Sequence, residues 1–411
     1  MAVKIFNKDD PKSPLIFYVY YFVVYFGIAI QGSFLTLYLT ESGVPVKTIG
    51  LINGVIQILS LFVLPVLGRI ADRAPTKNRV LCIELSVSIL TLFLMSKARD
   101  LIMIIAFRIA YAMFFTPISS VYEAITMEYC RKNGWEFGPI RMSGTIGYSI
   151  MSFASGFGLK GNISAIFPML IVSYSMTLVL ALLLPRSTRV ERVVVSPNEA
   201  KESDAKRVLA VLKDRQVRNV MIMFFIYSLS SSVNNTYFGN YTKELGGDYA
   251  IIGIAHAVLG LSELPFHLGP GKRWLKRIGV EKSMLVVLSV GVFRWAVCAL
   301  TKDPWVLTAT MALNGIQLVP VIIGLAEFLY DHAPADLKVT AQTTLRHSVQ
   351  VIAVLVNDFA GSGLFHLFEL LGKHPIRGLY VCLIPLNILG IIMGLTSIRK
   401  GNSSEQEASN A

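Results

Sequence analysis

The sequence predicts an all-α polytopic membrane protein with about twelve transmembrane helices in two six-helix bundles. Three observations carry that class: a composition too apolar for water, long apolar runs along the whole chain, and one long polar segment near the middle. Of the 411 residues, 54% are hydrophobic and 16% charged, against about a quarter charged in a soluble domain. Mean hydropathy is +0.58. Runs such as "LINGVIQILSLFVLPVLG" and "AIFPMLIVSYSMTLVLALLLP" match the roughly 20 apolar residues that carry a helix across a bilayer. Backbone in lipid must satisfy its own hydrogen bonds, so these runs are read as helices. The short alternating segments of a transmembrane barrel do not dominate.

The first span, 15–39, follows a short charged start, "MAVKIFNKDDPKS". That start lacks the small-residue cleavage site of a signal peptide, so the run is expected to stay as a helix. The second, 46–67, ends at the basic segment "GRIADRAPTKNRVL", after which 79–97 forms the third. Spans 101–127 and 139–158 are joined by a polar hairpin, and 164–185 closes the first bundle, 15–185. The cytoplasmic linker, 186–217, is the long polar segment. The second bundle, 218–397, holds 218–241, 249–270, 281–300, 304–330, 340–367 and 376–397. Residues 1–14 and 398–411 are expected as cytoplasmic termini, the latter too short for a soluble domain. Two bundles enclosing a central site is the layout of many carriers.

The net charge of +12 marks topology. Arg69, Arg73, Lys77, Arg79, Arg131, Lys132, Arg186, Arg189, Arg192, Arg207, Lys272, Arg273, Lys276 and Arg277 all fall on one side. The alternate loops hold little: Lys160, Lys243 beside Glu244 and Asp248, and Lys302 beside Asp303. The positive-inside rule then places both termini in the cytoplasm of a multi-pass inner-membrane protein. No soluble domain exists to carry nucleic acid. Cys82, Cys130, Cys298 and Cys382 show neither metal spacing nor a disulfide framework.

In "GRIADRAPTKNRVL", Gly68 permits close packing, and Asp72 and Arg73 stand where a helix leaves the membrane. An ordinary basic loop is the bland reading. The order of glycine, Asp-Arg four residues on, and a basic cluster resembles the signature loop of the major facilitator superfamily, departing from it at Pro75. The resemblance implies the major facilitator fold and a gating role for Gly68, Asp72 and Arg73.

The hairpin "YEAITMEYCRKNGWEFGPIRMSGTIGYS", residues 122–149, narrows the class. Glu123 lies two turns from the loop, about 9 Å of helix rise. An isolated charge at that depth costs roughly 3 kcal/mol on insertion scales, less if it is paired and faces a wet cavity. Arg141 opens the next helix on a stem long enough to reach back. A carboxylate and a guanidinium fork suit the hydroxyls of a polyol. Tyr148, seven residues on, shares the face of Arg141 and suits stacking on an apolar ring. A structural ion pair, or a glutamate snorkelling to the cytoplasm, would use the same residues. Glu123, Glu136–Phe137–Gly138, Arg141, Met142, Gly144 and Gly147 resemble the oligosaccharide:proton symporters, the lactose permease relatives. That resemblance implies sugar binding by Glu123 and Arg141, with Thr145 and Tyr148 packing against the sugar.

In the second bundle, "HAVLGLSELPFHL" puts His256, Glu263 and His267 on one helical face. Glu263 resembles the family's helix-8 glutamate, which joins sugar binding to proton movement. Arg294, in "VFRWAV", resembles its helix-9 arginine. Burial and the approach of an arginine move a carboxyl's affinity for a proton in opposite directions, so such a pair can release one; a static buried pair is the alternative. Helix 10 departs from the family: "LNGIQLVP" offers the amides Asn314 and Gln317 in place of a histidine and a glutamate. Helix 7 reads "SSSVNNTYFGNYT", with Asn234 and Asn235 where the family has acids, and the partner lysines are missing too, with Met311 and Val349 nearby. Joint loss leaves no orphan charge. Coupling through Glu263, with His256, or through Asp358 in "VIAVLVNDFAGSG" stays open. Gln31, Asn235 and Asn240 either line the cavity or hold helices together.

The expected function is secondary active transport: proton-coupled uptake of a sugar or glycoside by alternating access. A nucleoside or aromatic-acid proton symporter, or a facilitated uniporter, is the alternative. "FGPIRMSGTIGY" equally resembles the nucleoside:proton symporters, whereas Glu123 favours sugar. The histidines do not cluster and no H-E-x-x-H occurs, which argues against an enzyme. No cofactor or metal is expected beyond a proton gradient as energy source. The expected partners are a small-molecule substrate and the lipid bilayer, and the chain is expected to act as a monomer.

Overall fold

The computed structural model describes residues 13–159, 161–186, 210–267, 269–333 and 338–409, nearly all of them helical. We label the long helices α1 (Leu15–Glu41), α2 (Val46–Arg73), α3 (Lys77–Lys97), α4 (Leu101–Asn133), α5 (Phe137–Gly158) and α6 (Ile163–Leu183). They continue as α7 (Arg215–Glu244), α8 (Tyr249–His267), α9 (Val280–Leu300), α10 (Pro304–Leu329), α11 (Thr344–Leu370) and α12 (Pro375–Ser409). A short helix, Gly269–Ile278, stands between α8 and α9. Residues 1–12 and 187–209, which hold most of the expected linker with Arg189, Arg192 and Arg207, lie outside the described residues, as does Lys160.

Among the described residues, ten segments are long and apolar enough to cross a membrane. The expected spans missing from that set are α5 and α7, although they are 22 and 30 residues long. Their polarity explains this: α5 carries "RMSGTIGYS" and α7 "SLSSSVNNTYFGNYT". These are the helices that hold Arg141, Thr145, Tyr148, Asn235 and Asn240. Large apolar side chains stand exposed along other spans, among them Phe62, Ile102 and Leu300. Such a surface belongs in lipid rather than in water.

Local chemistry sets the helix ends. Asp100 Oδ2 accepts from the backbone N–H of Ile102 and Met103 at the start of α4, and Asp303 Oδ1 accepts from Trp305 before α10. Gly134, at φ 68°, closes α4 in the left-handed conformation that glycine adopts without strain. Gly68, Asp72 and Arg73, expected in a loop, lie instead in the last turns of α2, whose backbone stays helical to Arg73. The helix stops there because Ala74 precedes Pro75 and is extended, with ψ 149°. The side chains of Asp72 and Arg73 lie outside the description. Beyond its expected end, α12 continues as helix to Ser409. Three helices contain a π-helical turn: Gln31–Leu35 in α1, Pro320–Gly324 in α10 and Asn357–Gly361 in α11. Pro320 brings no N–H to its turn, one cause of such a shift.

The described residues fall into two compact units, one within Met1–Arg192 and Thr242–Leu261, the other within Val193–Tyr241 and Ser262–Ala411. In the first, Phe17, Tyr20, Tyr21 and Val24 of α1 are fully buried in one core with Tyr122, Tyr129 and Ile140. Glycines let backbones close: a Cβ on Gly144 would meet the Tyr25 ring at 2.7 Å, and one on Gly147 would meet the Phe22 carbonyl. The first part of α8 belongs to this unit for the same reason. A Cβ on Gly253 would lie 2.6 Å from the Ser152 carbonyl oxygen and 2.8 Å from Gly156 Cα. The second unit has its own core of Val217, Val220, Phe224, Met284, Leu288 and Leu325.

Candidate functional site

In the first unit, α4 and α5 bring Glu123 and Arg141 together. Arg141 Nη1 donates to Glu123 Oε1 at 3.4 Å, and the two side chains remain 37% and 41% exposed, Glu123 being the lower. The pair is therefore neither sealed nor tightly closed, and a loose, half-exposed contact contributes little to stability. Around it stand Tyr21, Tyr25 and Tyr122: Tyr21 packs edge-on against Tyr122 at 5.1 Å between ring centroids and stacks on Tyr25 at 6.4 Å. Thr145 is buried one turn along α5, and Tyr148 is half-buried one turn further. The Tyr148 hydroxyl is 3.0 Å from His256 Nδ1 on α8. A residue expected to stack on cargo and one expected to move protons are thus in direct contact. Gln31, half-buried, hydrogen-bonds the Tyr111 hydroxyl, which in turn bonds Tyr174 at 3.1 Å. That chain ties α1, α4 and α6 together.

In the second unit, the amides that replace titrating groups on α10 each engage a charged residue. Asn314 Nδ2 donates to Glu263 Oε1 at 3.2 Å. Arg294 Nη1 donates to Gln317 Oε1 at 2.9 Å, and its Nη2 lies 2.9 Å from the Met311 sulfur. Arg294 is 2% exposed. An amide satisfies its hydrogens without cancelling its charge. Trp295 stacks on Tyr380 at 5.8 Å and carries the Arg294 guanidinium over its ring at 4.9 Å, a cation–π contact that offsets part of the burial cost. Asn234 accepts from the Tyr380 hydroxyl at 3.1 Å. Asn240 is buried, while Asn235 is exposed. Asp358 is buried inside the π-turn of α11.

Glu84 and Arg108 are charged residues inside spans that the sequence reading did not single out. Glu84, in the apolar run of α3, is 2% exposed, and among the described residues neither carboxyl oxygen has a hydrogen-bond partner. It lies near Tyr20, whose hydroxyl is likewise unpaired. Arg108, in "LIMIIAFRIAYAMFF", is half-buried on α4 and interacts with Tyr111. A lone charge within an apolar run was the available signal for both.

A nearly all-helical chain with ten membrane-competent segments among its described residues, and the Glu123–Arg141 pair inside its spans, has the architecture of a polytopic membrane protein. The comparisons with known proteins agree. A model described as the MFS_1 like family matches residues 15–353, and the chain belongs to that family, within the major facilitator superfamily. It is 24% identical to the maltose permease of Geobacillus stearothermophilus over 400 residues, covering 95% of this chain and 96% of that protein. The uncharacterized transporter YwbF of Bacillus subtilis (strain 168) is 22% identical over 361 residues, covering 88% of each. A crystal structure of the nucleoside transporter NupG superposes with a TM-score of 0.76 at 14% identity, covering 94% of this chain and 98% of that one. The last likeness is one of fold. These relatives are transporters, not enzymes.

Proposed function

We propose that the chain is a gradient-driven carrier that takes up a sugar or glycoside by alternating access. The observation that carries this reading is the half-exposed Glu123–Arg141 pair, ringed by tyrosines, with Thr145 and Tyr148 further along α5. A carboxylate and a guanidinium side by side accept from and donate to vicinal hydroxyls at once, and aromatic faces cover the apolar side of a sugar ring. Likeness to a maltose permease along nearly the whole chain supports the same cargo class. Proton movement is assigned to Glu263 with Arg294, and to His256 through Tyr148; Asp358, the remaining candidate, is taken up below. The lipid bilayer and a small-molecule substrate are its partners, the monomer its working form, and the inner membrane its location with both termini cytoplasmic.

Facilitated uniport has a specific observation in its favour. Glu263 and Arg294 are held by Asn314 and Gln317, amides that neither gain nor lose a proton near neutral pH. Uptake into proteoliposomes separates the readings. Maltose, lactose, a nucleoside and an aromatic acid would be offered with and without an inward proton gradient. We expect sugar uptake that rises several-fold with the gradient. Sugar uptake indifferent to it establishes a uniporter; uptake of the nucleoside and of no sugar overturns the cargo assignment.

A further inference from the structure

Within the second unit, the π-turn of α11 gathers oxygen atoms that the fold leaves unused. Asn357, Asp358 and Ser362 of α11 and Tyr237 of α7 are each at most 4% exposed. Asn357 Nδ2 donates to Ser232 Oγ at 2.9 Å and to Asp358 Oδ1 at 3.3 Å. Ser362 Oγ donates to the Asp358 carbonyl at 2.7 Å. These bonds consume the amide and serine donors and leave two acceptors over: among the described residues, Asn357 Oδ1 and Asp358 Oδ2 have no hydrogen-bond partner. Tyr237 interacts with both Asp358 and Ser362. Among the described residues no lysine, arginine or histidine pairs with Asp358, whose one side-chain hydrogen bond is to Asn357. Gly361 lies under Asn357: a Cβ there would sit 3.0 Å from Oδ1.

A buried carboxylate with no counter-charge is costly, and acceptors without donors call for a positive guest. We propose that this oxygen cluster binds a monovalent cation of the sodium class, with Asp358 Oδ2, Asn357 Oδ1 and the Tyr237 hydroxyl among its ligands. The all-oxygen donor set suits a hard cation. Among the described residues no group of three or more His, Cys, Asp or Glu could hold a transition metal. A single carboxylate balances one positive charge, whereas a divalent ion would leave a net charge buried. The π-turn supplies the setting, since its altered bonding brings Asn357 and Asp358, neighbours in sequence, to one site. The proposal rests on the reading of the chain as a gradient-driven carrier and adds a second ion that can drive it.

The test is thermal unfolding of the purified full chain in detergent, without substrate, in sodium chloride against choline chloride at fixed pH and ionic strength. A ligand that binds only the folded protein raises its melting temperature with concentration. We expect saturable stabilisation by sodium, with the half-saturating concentration raised at least tenfold by Asp358→Asn. Tyr237→Phe, which removes one ligand oxygen and keeps the ring, should raise it several-fold, and decides the matter should Asp358→Asn fail to fold. Equal melting in sodium and choline overturns the proposal. Stabilisation that survives unchanged in both variants overturns it as well. Because no sugar is present, failure here leaves the cargo reading standing, and failure of the uptake panel leaves the cation site standing.

Discussion

Glu123 shows what one residue in the wrong solvent discloses. Its charge lies in an apolar run, and the partner that the hairpin spacing offered, Arg141, is the one the fold supplies. Replacing Glu123 with Gln keeps size and one acceptor but removes the charge that strengthens hydrogen bonds to hydroxyls. Affinity for the transported substrate should fall at least tenfold in a binding measurement, while the melting temperature changes little, since a half-exposed pair stabilises weakly. Unchanged affinity would return Glu123 to a structural role. Other contacts were not legible. The partner of Gln31 is Tyr111, 80 residues away, and that of Tyr148 is His256, 108 residues away. Spacing along one helix says nothing about which side chain arrives from another. Glu84 was legible as a charge in an apolar run, but its lack of partners emerges only from packing.

Helices were read well where periodicity was unnecessary, because lipid demands helix from any long apolar run. Their ends and irregularities were read less well. The π-turns of α1, α10 and α11 leave no compositional mark, and the Asp-Arg segment continues α2 instead of forming a loop. The contact of α5 with α8 was also hidden. It depends on Ser152, Gly156 and Gly253 standing opposite one another, and small residues are common enough in membrane helices that none stood out. Gly253→Leu would drive a side chain into the backbone of α5. Overpacking of this kind costs roughly 3 kcal/mol or more where backbone must move, so the melting temperature should fall by several degrees. Gly363→Leu, where a Cβ meets nothing within 4 Å, should leave it unchanged. Equal melting of the two variants would show that α5 and α8 do not depend on this contact.

For the molecule as a whole, the orientation proposed from charge placement can be tested with an impermeant maleimide. In a background with Cys82, Cys130, Cys298 and Cys382 changed to serine, Lys302→Cys should label in intact cells. Lys132→Cys should label only after permeabilisation. The reverse pattern would turn the carrier over. Both fold class and superfamily were legible, because hydropathy and the "GRIADR" segment are local properties of the chain. Cargo and coupling ion were not, because they depend on which polar groups end up side by side.

The bonds between α10 and its charged neighbours have a bearing on environment. Asn314 and Gln317 keep their hydrogens from mildly acid to mildly alkaline media, so what they hold they hold across that range. Gln317 neither gains a proton nor lends a charge, so the Arg294 guanidinium keeps the same acceptor and the same uncancelled charge. Any negatively charged group entering its neighbourhood meets a constant attraction, and any second cation a constant repulsion.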